Sequence, residues 1–212
     1  MFRLKVQRGI MLIGLGDDQV MPNKVCINVY MANRPPMPPY DLLSDLQPMS
    51  GGEINAIGQH TGNHWRKVFN VYAKLMFEFM QTLQGRGMNT LAHFCEMLSE
   101  HKSWQHYRDH QLLQSQSGCR LLFGAPLLGS GDDIHIIMGK GYAQQLGFDY
   151  EPPYLVNHEH QDFALYREQR VILCPYFDYR QLSNIKISAL VDIMLDLLDN
   201  NVGKQQINLG KQ

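Results

Sequence analysis

The sequence predicts an α/β fold: three layers, α/β/α, with helices on both faces of a central, mostly parallel sheet. Three observations lead there. Short apolar runs rich in β-formers recur at residues 24–31, 119–123, 134–138 and 171–174. Each leads into a loop carrying glycine or proline, with no two-residue hairpin turn. Amphipathic helical stretches interleave with these runs, and that alternation builds parallel neighbours.

Taken in order, residues 11–15 are an opening strand or an arm, interrupted by glycine at 14 and followed by another at 16. Residues 24–31 alternate, with Val25, Ile27 and Val29 on one face and Cys26 and Tyr30 on the other, and form the first sheet strand. Residues 32–40 hold four prolines, which lack amide donors and fix φ, so they predict a stiff extended loop leaving the strand's end. That loop either wedges against the body of the protein or serves as a proline-rich ligand for a partner domain. Residues 41–46 predict a short helix, and Ser50-Gly51-Gly52 a turn.

The polar residues 58–64 then open the longest helix. Trp65, Val68, Phe69, Tyr72, Leu75, Met76, Phe79, Met80 and Leu83 fall three and four apart, and Val71 and Phe77 widen the stripe. Such a stripe faces a core. Thr61 or Asn63 is the expected cap, with Gly85 and Gly87 ending the helix. Residues 89–100 form a second helix that turns Leu91, Phe94, Cys95 and Leu98 inward. Residues 101–116 are polar and histidine-rich, anchored by Trp104, Tyr107, Leu112 and Leu113. Strands at 119–123 and 134–138 follow, then a short helix at 142–146, a short strand at 154–156 and the last strand at 171–174. The final helix starts near Asn184, buries Ile187, Leu190, Val191, Met194, Leu197 and Leu198, and turns Asp192, Asp196 and Asp199 to solvent. One α/β domain over residues 1–200 is expected, with a polar, fraying tail at 201–212.

Composition narrows the functions. The 212 residues are 44% hydrophobic and 18% charged, a globular and not a disordered balance. A formal net charge of −1 excludes a broad basic face for duplex nucleic acid and leaves room for a local basic groove. The cysteines at 26, 95, 119 and 174 form no Cys-x-x-Cys pair and read as buried thiols of a reducing compartment. No apolar run approaches the ~20 residues of a membrane span. The N-terminus lacks the apolar centre and cleavage site of a signal peptide. A cytoplasmic protein with no membrane partner is expected.

Several reactive constellations fail. His106 and His110 would share a helix face, and His158 and His160 bracket a glutamate. No further ligands stand at metal-site spacing, so neither a metal nor another cofactor is expected. Gly124 to Ser130 lacks the lysine of a phosphate loop. Gly139-Lys140-Gly141 is either a tight turn or an anion site at the next helix start. No serine occupies a Gly-x-Ser-x-Gly elbow.

Three loops remain that a parallel sheet would gather at its carboxyl edge: 33–40, 61–66 and 175–184. They carry Asn33, Arg34, Tyr40, Asn63, His64, Arg66, Asp178, Tyr179, Arg180 and Asn184. Aromatic faces, amides, cations and one carboxylate suit a planar polar ligand, such as a base, together with a phosphate.

Gly62-Asn63-His64-Trp65-Arg66-Lys67-Val68-Phe69 resembles the Asn-x-Phe-Trp-Lys helix start of the uracil-DNA glycosylase superfamily, in its mismatch-specific branch. Residues 134–143 are similar to that branch's strand, glycine and Lys-x-Ala helix. Residues 171–180 fall where it has its last strand and its His-Pro-Ser or Ser-Pro-Ser loop. The resemblance implies a four-stranded central sheet, a DNA-repair hydrolase, and DNA or another nucleobase-containing ligand as partner. By the resemblance, Asn33 would orient a water, Tyr40 or Tyr176 would stack on an extruded base, and Asp178 and Arg180 would bind the base edge and phosphate. Asn33 and Asp178 are thus the catalytic candidates. Arg34, Tyr40, Asn63, His64, Arg66, Tyr176, Tyr179, Arg180 and Asn184 are the substrate-binding ones. The sequence departs from the family's first-loop signature, reading Ala32-Asn33-Arg34-Pro35, and puts Pro175-Tyr176-Phe177 in place of His-Pro-Ser. A non-catalytic nucleotide, nucleic-acid or protein binding module of the same fold is therefore the alternative. A third reading is an unrelated α/β protein in which Asp178 and Arg180 pair with each other or with helix ends.

Overall fold

The computed structural model describes residues 12–19, 24–87, 91–129, 131–151, 154–156 and 162–209. Seven strands and six α-helices follow one another among them: β1 (Gly14–Gly16), β2 (Ile27–Tyr30), β3 (Leu46–Gln47), α1 (Glu53–His60), α2 (Asn63–Gly85), α3 (Ala92–Ser99), α4 (Trp104–His110), β4 (Cys119–Leu122), β5 (Ile134–Met138), α5 (Lys140–Gln145), β6 (Ala164–Tyr166), β7 (Val171–Cys174) and α6 (Asn184–Leu209).

The class is α/β, but the sheet is mixed and has seven strands, not four, in the order β3-β1-β4-β2-β5-β7-β6. Its interior, β4-β2-β5-β7, is parallel throughout. The edges are not: β1 runs antiparallel to β4, and β6 antiparallel to β7. The three additional strands are two or three residues long, too short for periodicity to register, and β1 overlaps the end of the opening strand or arm expected at 11–15. They exist because a neighbour pairs with them, not because their residues prefer extension. The glycines of β1 are part of that pairing. A Cβ on Gly14 would lie 2.3 Å from the Leu121 carbonyl oxygen, and one on Gly16 2.3 Å from that of Cys119.

Side chains alternate across the sheet, as the pleat requires. Ile27, Val29, Leu121, Ile134, Ile136 and Ile172 share one core with the buried faces of α1, α2, α3, α4 and α6. Tyr30, Leu122, Ile137 and Leu173 face the other way and meet Ala143, with Tyr142 and Leu146 packed alongside. The helical layers are therefore unequal, with α5 covering the second face.

Other elements differ locally from expectation. Residues 41–46 hold no α-helix: a 3-10 turn spans Tyr40–Leu42 and the chain then enters β3. Residues 53–60 form a helix of their own, α1, and Gly62 at φ 85° breaks it from α2. Neither Thr61 nor Asn63 caps α2. Gly62 holds that position, and the Thr61 hydroxyl donates back to the Ile57 carbonyl. The short strand expected at 154–156 is reduced to one bridge, Leu155 with Ala164. The last helix runs on past Asn200 to Leu209. Met11, Asn89, Ser130, His158 and His160 lie outside the described residues.

The amino edge of the sheet is tied by buried polar groups. Asp17 is fully buried, and its carboxylate accepts the amide N–H groups of Gln19, Gln116 and Gly118. Lys24 Nζ stands 3.5 Å from it. Arg120 Nε donates to the Asp17 carbonyl at 2.7 Å, and Asp133 accepts from the Cys26 amide and Asn28 Nδ2. His135 sits beside them with Nδ1 2.8 Å from the Tyr30 hydroxyl, and burial lowers its pKa from 6.5 to about 4.

Two outcomes follow. Asp17→Ala, which strands Lys24 and three backbone amides, the buried one of Gly118 among them, lowers unfolding free energy by about 3 kcal/mol or more in denaturant titrations. His135 stays neutral in the folded chain while the unfolded imidazole takes a proton below pH 6.5. Its contribution is therefore full above 6.5 and is lost as pH falls towards 4, at up to about 1.4 kcal/mol per pH unit. His135→Asn flattens the stability–pH curve in that window by one proton's worth.

Candidate functional site

The loop after β7 is shaped by which of its residues the core accepts. Pro175 has no amide to extend the ladder. Phe177 and Leu182 are buried, with the Phe177 ring edge-on to Tyr72 at 5.7 Å. Between these anchors the chain turns tightly: the Asp178 carbonyl accepts from the amides of Gln181 and Leu182, and Asp178 Oδ1 accepts from the Arg180 amide at 3.0 Å. Tyr176, Asp178, Tyr179 and Arg180 are left on the outer side, at the carboxyl edge of the sheet.

The first turn of α2 meets them there. His64 stacks on Tyr176 at 5.5 Å, with Nε2 3.1 Å from the tyrosine hydroxyl. Gly139, at the end of β5, backs that ring; a Cβ there would approach it to 3.5 Å. Burial pushes the Tyr176 hydroxyl up to about 12, so it remains a donor at neutral pH. Three residues beyond His64 on the same helix face, Lys67 reaches Asp178 Oδ2 at 2.8 Å. The Lys67 ammonium, and then the Arg180 amide, hold the Asp178 carboxyl below its ordinary range. Lys67 also lies 4.9 Å from the centre of the Tyr179 ring, and the Arg180 guanidinium 5.8 Å. Tyr179 is 54% exposed, so an aromatic ring with two cations against it stands at the solvent surface.

His64, Tyr176, Asp178, Tyr179 and Arg180 thus come together, and Lys67 joins them. Its signal was the i, i+3 spacing from His64. The remaining candidates go elsewhere. Asn63 and Arg66 bond to each other, Oδ1 to Nε at 3.2 Å and to Nη2 at 2.7 Å, and line a separate cavity between α1, α2 and α4. Arg34 donates to the Leu43 carbonyl, and the buried Tyr40 donates to Glu53. Both are consumed in holding the proline-rich segment to the body. Asn33 is exposed and makes no hydrogen bond among the described residues. Asn184 opens α6 and accepts from Lys74 at 3.4 Å. No hydrogen bond joins Asn33 to Asp178.

The other constellations are equally plain. His106 and His110 are neighbours at 4.4 Å between ring centres, and His101 Nδ1 lies 2.8 Å from that of His106. Among the described residues no group of three or more His, Cys, Asp or Glu is arranged to hold a metal. Cys26, Cys119 and Cys174 are buried, and burial raises all three thiols, Cys26 to about 11 and Cys119 to about 12. They are inert as nucleophiles at neutral pH. No helix among the described residues is long and apolar enough to cross a membrane.

A model of a family of unknown function, DUF6942, matches residues 13–195. No curated protein and no solved structure matches the chain.

The tie between Lys67 and Asp178 is directly measurable. In Lys67→Met the Asp178 carboxyl titrates closer to its ordinary value, read from its carboxyl carbon by NMR. Because the folded pKa is depressed, the pair's stabilisation is present above the ordinary carboxylate pKa and is lost as pH falls through the folded one. The variant lacks that part of the acid-limb loss.

Proposed function

The chain belongs to the family of unknown function DUF6942, and for it we propose a nucleobase-binding role: the carboxyl edge holds single-stranded nucleic acid, or a base extruded from a duplex. The observation that carries this is the solvent-exposed Tyr179 ring with Lys67 and Arg180 against it, beside the stacked Tyr176 and His64 rings. Bases stack on such faces while cations take the phosphates, in a sequence-tolerant way. The whole chain has a net charge of −1, so this cationic surface is local. The parallel interior of the sheet, β4-β2-β5-β7, supports a uracil-DNA glycosylase-like architecture with β1, β3 and β6 as additions.

The chemistry of the loop favours binding over hydrolysis. Asp178 is ionised and doubly engaged, so it accepts hydrogen bonds from a base edge but does not donate a proton at neutral pH. One observation favours the hydrolytic reading: the Asn33 amide is exposed and unengaged, as a water-orienting group would be.

Single-stranded oligonucleotide binding, followed by fluorescence anisotropy, is expected to weaken with salt. Tyr179→Ala costs about 1–3 kcal/mol. Arg180→Ala weakens binding across sequences and reduces the salt slope by about 1. Binding indifferent to both substitutions, or none at all, overturns the proposal. Release of an abasic product from uracil- or mismatch-containing DNA, abolished in Asn33→Ala, replaces it with the glycosylase reading.

A further inference from the structure

We propose that the groove between α1, α2 and α4 is a second binding site, one that takes a phosphate group. A cavity of about 490 Å³ opens there, and its polar lining comes from Asn55, Gln59, Asn63, Arg66, Asn70 and Arg108. Among the described residues no carboxylate lines it. The hydrogen bonds within the wall set its character. Asn63 Oδ1 accepts from Arg66 Nε and Nη2, and Asn70 Oδ1 accepts from Arg108 Nη1 at 2.5 Å. Asn55 Oδ1 faces the Gln59 amide nitrogen at 3.5 Å. Three amides have therefore turned their oxygens onto wall groups, leaving their NH₂ groups as donors. The groove is rich in donors and poor in acceptors, which suits an anion with several acceptor oxygens.

The two guanidiniums differ. Arg108 is framed by Asp109, through Nε at 2.7 Å and Nη2 at 2.9 Å, which fixes its plane and offsets its charge. Among the described residues Arg66 has only the neutral Asn63 amide as its hydrogen-bond partner and no carboxylate to offset its charge. Gly58 lies opposite: a Cβ there would sit 3.6 Å from the Arg66 Cβ, in ordinary contact. The absence of a longer side chain at 58 keeps the cavity open. A second cavity of about 390 Å³ shares Ile54, Asn55 and Arg108 with the first and continues past Ser50 and Gly51; Asp109, the partner of Arg108, lines it. The first cavity alone exceeds a single phosphate and accommodates a pyrophosphate or a phosphodiester on the side away from Asp109.

Two sources present that chemistry: a small phosphorylated molecule, or the backbone of a strand continuing from the carboxyl edge, since Asn63 adjoins His64 at the start of α2. The site rests on its own geometry; only the strand as source rests on the nucleobase-binding reading.

The test uses the full chain with pyrophosphate and an oligo-dT as probes, and the variants Arg66→Ala, Gly58→Leu and Tyr179→Ala. Arg66 is exposed, and Gly58 is helical without a positive φ, so Arg66→Ala uncovers no core and a side chain at 58 meets no backbone strain. Pyrophosphate is expected to raise the Tm of the parent and of Tyr179→Ala. Its calorimetric affinity is expected to fall roughly tenfold or more in Arg66→Ala and in Gly58→Leu. If oligo-dT binding also loses salt slope in Arg66→Ala, the strand supplies the phosphate. If only pyrophosphate is affected, the ligand is a small phosphorylated molecule. A pyrophosphate effect retained in both groove variants overturns the site. So does no pyrophosphate effect together with an unchanged oligo-dT salt slope in Arg66→Ala. Loss of oligo-dT binding in Tyr179→Ala is a separate result and bears only on the carboxyl edge.

Discussion

Burial of α2 against one face of the sheet is the constraint on which the rest of the molecule depends. Eleven of its residues are buried, from Trp65 to Leu83, and they meet side chains from β2, β4, β5 and four other helices. Each large apolar side chain so buried is worth about 1.5–3 kcal/mol relative to exposure. Apolar burial alone does not fix a helix's position along its axis. The Tyr72 hydroxyl does, since it lies within hydrogen-bonding reach of both the Ile27 and Arg120 carbonyls, at 3.0 and 3.1 Å. With that one polar contact inside an apolar interface, the start of α2 is held over the carboxyl edge of the sheet.

The placement divides the first turn of α2 between two surfaces. His64 and Lys67 face the β7 loop and complete an aromatic, cationic edge with Tyr176, Tyr179 and Arg180. Asn63 and Arg66, on the other side of the turn, face α1 and α4. A three-residue step along a helix keeps a face and a two-residue step crosses it, so the split follows from α-helical geometry once the buried stripe has chosen its direction. Gly62, at φ 85°, makes the separation possible by ending α1 and admitting α2 at a new angle. Electrostatically the two surfaces are alike in having more cation than carboxylate, on a chain whose total charge is near neutral.

The opposite edge of the sheet has a different character. There the charged groups Asp17, Arg120 and Asp133 are buried or half-buried and bonded to backbone and to one another. Such networks hold loops in register and are costly to disrupt. They also explain how Arg120 and His135 can sit inside central strands whose other residues are apolar. At the carboxyl edge Tyr179 and Arg180 are instead exposed, and Lys67 and Asp178 are partly so.

Much of the architecture was legible in the residues. The parallel interior strands, the α2 stripe and the inner face of α6 are each written locally, as alternation or as spacing of three and four, and each formed where that pattern lay. So was the grouping of His64 with Tyr176, Asp178, Tyr179 and Arg180, because strand ends and helix starts converge in any parallel sheet. What the residues could not say is which polar side chains stay available. Arg34, Tyr40, Asn63 and Arg66 have the same chemistry as those that meet at the edge, yet Arg34 and Tyr40 bond to nearby loop and helix groups, and Asn63 and Arg66 turn to the groove between α1, α2 and α4. Lys67 reached Asp178 only because distant segments were brought within 2.8 Å. The edge strands β1, β3 and β6 likewise exist through their partners. Sequence by itself determined what short-range periodicity encodes: the α/β class, the interior strands and the buried helix faces. Tertiary structure alone decided the hydrogen-bond partner of each polar group and the pairing of each short strand, because both are contacts between residues far apart in the chain.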